Sequence, residues 1–142
     1  MRRTKLWLAA GTACWLLVGG LAAAQDTLHY ETQMKTATSP TAQTDAVLWT
    51  PTTGNRFVLQ GCGVSAIAPV RVEFEVSDVD VIPPIYLESY GMKLVESGGA
   101  PLYVSAQNAV LTYTTATFET GPGVAYRDTS VFCWGYEEAV LD

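Results

Sequence analysis

The sequence predicts an all-β domain, an antiparallel β-sandwich of jelly-roll type with about eight strands, following a cleaved signal peptide. Three observations predict it. After residue 24, no stretch of ten residues or more repeats its apolar positions with the helical period. Seven to nine short segments rich in β-branched and aromatic residues recur instead, separated by Gly- and Pro-containing turns. In the clearest of them Val70, Val72, Phe74 and Val76 alternate with Arg71, Glu73 and Glu75, so one face is apolar and the other wet. That pattern suits two packed sheets, with a small barrel as the alternative.

Taken in order, the chain opens with Arg2, Arg3 and Lys5 ahead of an uncharged apolar run over residues 6–24. The run ends in Ala22-Ala23-Ala24, and polarity switches at once to Gln25-Asp26. A basic start, an apolar middle and a small-residue end form the secretory signal pattern, with cleavage expected between Ala24 and Gln25. A run of this length could also span a bilayer as an uncleaved anchor. Its Gly and Ala content and its Ala-x-Ala end favour cleavage. The expected product has 118 residues, one domain of ordinary size, located in the periplasm, at the cell surface or outside the cell. It keeps five basic residues against fourteen acidic ones, a net charge near −9. Such a charge disfavours nucleic acid and anionic lipid, which both require Lys/Arg clusters. No membrane contact is expected once the signal is gone.

Residues 25–44 are rich in Thr, Gln, Ser and Ala and read as a polar, flexible leader. Within it Leu28, Tyr30 and Met34 alternate with His29, Glu31 and Lys35, a weak strand pattern that could pair with the sheet edge of another copy, the alternatives being a disordered tail or a local edge strand. The β-domain is expected over residues 45–142. Its strands are predicted at residues 46–49, 56–66, 70–76, 85–89, 92–95, 102–104, 109–118 and 129–137. Gly61 and Gly63, inside the second of these, signal a bulge or a close backbone approach. In the last, Val131, Cys133 and Gly135 face one way and Phe132, Trp134 and Tyr136 the other.

Cys14 departs with the signal, leaving Cys62 and Cys133. Two cysteines in an exported chain pair most simply as one disulfide. Zinc would need two further ligands, and no His lies near either cysteine.

No stretch of the sequence assembles a catalytic constellation, so a non-enzymatic protein is expected. The single histidine, His29, excludes two-histidine metal sites within one chain, and no Gly-x-Ser-x-Gly elbow is present. Glu73 and Glu75 offer the one carboxylate pair from which a hydrolase could be built, although alternating Glu beside Arg71 is ordinary on a wet strand face. No cofactor is expected. Calcium is the alternative at Asp78 and Asp80, with Glu88 in reach, in what reads as an oxygen-rich loop. Tyr86 and Tyr90, beside Pro83-Pro84 and Gly91, are the aromatics expected at the surface and the candidate ligand-binding pair.

The run Val47-Leu48-Trp49-Thr50-Pro51, then Gly54, then Arg56-Phe57-Val58-Leu59, with Gly135-Tyr136-Glu137 near the end, resembles a pattern in small β-sandwich proteins. Those occur among phage-type structural modules and in bacterial genomes. The resemblance covers the strand–turn–strand opening and the Gly-Tyr-Glu close, and the signal peptide and cysteine pair depart from it. It implies a packed β module used for assembly or binding, and carries over no catalytic residue. Two functions are therefore expected. The first is an exported structural or assembly protein that self-associates, polymerising by strand donation. The alternative is a secreted module that binds a carbohydrate or another surface ligand.

Overall fold

The computed structural model describes residues 30–117 and 125–141. The expected signal segment, its expected Ala24–Gln25 cleavage site, His29 and the Gly121-Pro122-Gly123 turn lie outside the described residues. Ten antiparallel strands are described: β1 (Gln33–Ser39), β2 (Gln43–Trp49), β3 (Asn55–Ala66), β4 (Val70–Val76), β5 (Val79–Asp80), β6 (Ile85–Leu87), β7 (Gly91–Glu96), β8 (Tyr103–Val104), β9 (Leu111–Ala116) and β10 (Thr129–Ala139). Sheet A runs β1-β10-β3-β7, with β8 also on β3. Sheet B runs β2-β9-β4-β5, with β6 also on β4.

The chain path is that of a long hairpin rolled up. The first strand lies beside the last, β2 beside β9, β3 beside β7, and β4 beside β6. This nested pairing is the jelly-roll path. The two-residue strands β5 and β8 account for the excess over eight.

Alternation builds the core. Val70, Val72, Phe74 and Val76 of β4 are buried, whereas Arg71, Glu73 and Glu75 are half-exposed. Trp49, Phe57, Leu59, Val64, Leu111 and Val131 fill the space between the sheets. Cys62 and Cys133 sit directly opposite one another on β3 and β10, fully buried and disulfide-bonded.

Two expectations are corrected. Residues 33–44 are not a loose leader: β1 pairs with β10 through seven registered positions, from Gln33↔Gly135 to Ser39↔Thr129, and β2 begins at Gln43. Edge-strand physics explains why composition hid this. β1 supplies backbone donors and acceptors to the open edge of β10, and Met34, Thr36 and Thr38 face outward, where polar residues are tolerated. Lys35 faces the other way, its Nζ 5.3 Å from the centre of the Trp49 ring, a cation–π contact. Secondly, residues 77–80 are a hairpin and not an open loop. Ser77 and Asp78 both adopt positive φ (52° and 62°), as a two-residue turn requires, and Val79–Asp80 then pairs back onto β4.

The Trp-Thr-Pro opening and the Gly-Tyr-Glu close meet in space. Glu137 accepts hydrogen bonds from Trp49 Nε1 (2.9 Å), the Thr52 backbone N–H (2.8 Å) and Asn55 Nδ2 (3.3 Å). Its carboxylate thus ties the end of β2, in sheet B, to β3 and β10, in sheet A. Gly135 is required beside it, because a side chain there would collide with the Val58 carbonyl.

Both ties carry expected outcomes. Replacing both Cys62 and Cys133 with Ala is expected to cost about 2–5 kcal/mol in urea unfolding; an unchanged midpoint under reducing conditions would show that the bond contributes nothing. Burial pushes the Glu137 carboxyl up, but the bonds from Trp49, Thr52 and Asn55 together outweigh this and hold it below the usual carboxylate range. Its stabilisation is therefore complete above the unfolded-state value and disappears as pH falls from about 5 through the lower folded value. Denaturation midpoints between pH 3 and 7 are expected to drop more steeply for the parent than for Glu137→Gln, which should already be less stable at pH 7.

Candidate functional site

The site is built on the outer face of sheet A. Strand register places three rows of side chains across it: Met34–Trp134–Gly61–Glu96, then Thr36–Phe132–Gly63–Leu94, then Thr38–Ser130–Ser65–Met92. Period-2 geometry aims all of them away from the core. The two glycines decide what the face looks like. A methyl group at Gly61 would overlap the Trp134 ring, and one at Gly63 would meet Phe132 and Leu94. Without those side chains the rings of β10 lie across β3. Phe132 and Trp134 have centroids 6.4 Å apart and planes 21° apart, and Tyr136 stacks on Tyr30 at 4.8 Å. An aromatic strip therefore follows the outward side of β10.

Two clefts flank Trp134. On the Phe132 side, an apolar shelf of about 510 Å³ is formed chiefly by Met34, Met92, Leu94, Phe132 and Trp134, with Glu96 at the border it shares with the second cleft. Met34 is 64% exposed, Met92 61% and Leu94 45%, a concentration of exposed apolar side chains that marks an interaction surface. On the Tyr136 side, a polar cleft of about 300 Å³ is lined by Gln60, Glu96, Ser97, Trp134, Tyr136 and the turn leading to Pro101.

A bulge opens the second cleft. Gly61 pairs with Trp134 and Leu59 with Gly135, so Gln60 has no partner on β10. An extra residue of this kind bends its strand and re-aims a side chain. The Gln60 carbonyl accepts the Ser97 N–H (3.0 Å) and the Leu59 carbonyl accepts the Leu102 N–H (2.8 Å), which fastens the 97–101 turn over the bulge as a wall. Among the described residues, the Gln60 amide, the Glu96 carboxylate, the Tyr136 hydroxyl and Trp134 Nε1 have no hydrogen-bond partner.

The residues singled out from sequence fall elsewhere. Tyr86 and Tyr90 are exposed, at 43% and 79%, but Tyr86 lies on β6 opposite Arg71 in sheet B, and Tyr90 precedes β7. Neither lines either cleft. Asp78 occupies the β4–β5 turn, while Asp80 pairs with Glu75 on the sheet B ladder. Among the described residues, no group of three or more His, Cys, Asp or Glu converges as metal ligands would. Glu73 is ion-paired with Arg71. Burial, together with Asp45, Glu73 and Asp80, raises the Glu75 carboxyl against the lowering effect of a bond from Thr114. These two carboxylates stand on an open sheet face and line neither cleft.

Sheet B thus gathers Asp45, Glu73, Glu75, Asp78 and Asp80, whereas Glu96 is the one charged side chain in the three outward rows of sheet A. The alternation Phe132-x-Trp134-x-Tyr136 and the pair Gly61-x-Gly63 were the available signals for this face. Only the register shows that the rings lie over the glycines. No protein-family model, curated protein or solved structure matches this chain.

In a chain that starts at Gln25, Trp49 and Trp134 are the two tryptophans, one buried and one half-buried on the outer face of sheet A. Acrylamide should quench one emission component strongly and the other weakly. Trp134→Phe is expected to abolish the accessible component, and persistence of strong quenching in that variant would contradict the geometry.

Proposed function

We propose that the chain is an exported, non-enzymatic structural protein of the cell surface or extracellular space, whose copies assemble through the outer face of sheet A. The observation that carries this reading is the apolar shelf: exposed Met34, Met92 and Leu94 beside Phe132 and Trp134, on an otherwise acidic molecule. Molecules of like charge repel, so copies associate most readily through a surface that carries almost none. The shelf meets that condition and the acidic outer face of sheet B does not. The buried Cys62–Cys133 bond is compatible with an oxidising, extracytoplasmic compartment. Among the described residues, no helix is long and apolar enough to cross a membrane.

Strand donation fits the same reading as an exchange. β1 is an edge strand, joined to β2 by residues 40–42 alone. The β10 edge of a neighbouring copy offers it the same seven-position register. Removing residues 25–44 does not test this, because it also deletes a strand of sheet A and the start of β2.

A second reading, a secreted module that binds a carbohydrate or other surface ligand, is favoured by a different observation, the polar cleft at Gln60. Light scattering separates assembly from simple binding. The exported chain is expected to form dimers or larger species, and Met34→Lys combined with Met92→Lys should weaken association by roughly 100-fold or more at an unchanged unfolding midpoint. A strictly monomeric parent at high concentration would remove the assembly reading.

A further inference from the structure

We infer that the cleft at the Gln60 bulge is a carbohydrate site that takes an uncharged pyranose ring, stacked on Trp134 with its hydroxyls turned to Gln60 and Glu96. The inference rests on the binding-module reading; the cleft shares Trp134 and Glu96 with the apolar shelf, whereas Gln60 and Tyr136 line the cleft and Met34 and Met92 the shelf, which lets substitutions tell the two readings apart.

Four features define the ligand chemistry. The first is a flat floor. Trp134 lies over Gly61, whose missing side chain lets the ring lie across β3, so a single indole offers the cleft a platform rather than a box. A platform suits the broad apolar face of a sugar ring, whereas a cationic headgroup is held by rings set around it. The second is the set of unpaired polar groups. Gln60 brings an amide that both donates and accepts, Glu96 a carboxylate that accepts, and Tyr136 a hydroxyl that does either. Neighbouring sugar hydroxyls need that mixture, because each can donate and accept at once. Groups already committed to other parts of the chain could not serve, and among the described residues these are uncommitted.

The third feature is charge. Glu96 is the one ionisable acid or base in the lining apart from the Tyr136 phenol, so a uronic or sialic acid would bring a second carboxylate against it. That selects a neutral sugar. The fourth is rigidity. Gln60 is held by the bulge, and its carbonyl is fixed to Ser97, while the floor residue is one position from a buried disulfide. A cleft of about 300 Å³ is at the small end of ligand sites and accommodates one sugar ring with its neighbour outside. Specificity then resides at the end or a single residue of a glycan chain, not along its length.

The test uses the exported, oxidised chain on an array of neutral oligosaccharides built from glucose, galactose, mannose and N-acetylglucosamine, with sialylated and uronic-acid glycans alongside. Positives are titrated by calorimetry, a readout that remains when Trp134 is replaced. At least one neutral glycan is expected to bind. Gln60→Ala and Glu96→Gln are each expected to weaken it tenfold or more, with the unfolding midpoint unchanged, and Trp134→Ala to abolish it. The Met34→Lys, Met92→Lys chain should bind the glycan as the parent does, even where it no longer associates. The inference is overturned if no neutral glycan binds. It is equally overturned by a preference for acidic glycans, or by binding that survives both Gln60→Ala and Glu96→Gln.

Discussion

The pairing of β3 with β10 is the constraint on which the rest of the structure depends. Its inward positions put Val64, Cys62 and Leu59 against Val131, Cys133 and Gly135, at the centre of the core. Its outward positions put Gly63 and Gly61 under Phe132 and Trp134. Because side chains alternate, a slip of one residue would turn the cysteines out and the aromatic rings in. The Cys62–Cys133 bond forbids that slip. The same covalent link therefore fixes the hydrophobic core and aims the aromatic strip, and it does so from a fully buried position.

One irregularity in this ladder accounts for the polar cleft. A regular strand would place residue 60 in register with β10 and continue the flat sheet. The bulge frees the Gln60 side chain and carbonyl together, and the carbonyl captures Ser97 to seat the 97–101 turn. Beyond the bulge, β10 proceeds to Glu137, which receives Trp49, Thr52 and Asn55. Sheet packing, the cleft and the tie between the two sheets are thus successive consequences of a single strand.

The distribution of charge sets the two faces apart. Sheet B carries clustered carboxylates, close enough that Glu75 is held up by burial with help from Asp45, Glu73 and Asp80. Such a face stays hydrated and repels its copies. Sheet A carries the rings, the methionines and Glu96. Its position at one side of an acidic molecule makes it the surface on which contact costs least electrostatic work.

The sequence by itself determined the all-β class, the disulfide partners and the two faces of β4 and β10, because period-2 alternation and cysteine number are local or countable properties. Val70–Val76 matched the structure residue for residue. The glycines at 61 and 63 were legible as close approaches, but not what approached them. Tertiary structure alone decided that Trp134 covers Gly61, that Gln60 is the unpaired residue, and that the polar stretch at Gln33–Ser39 is an edge strand. It also decided that Glu96 and Tyr136 share a cleft while Tyr86 and Tyr90 line none of it. The physical reason is register: which residues face each other across a sheet depends on pairing between segments as far apart as Gln33 and Gly135, and no local pattern encodes that offset.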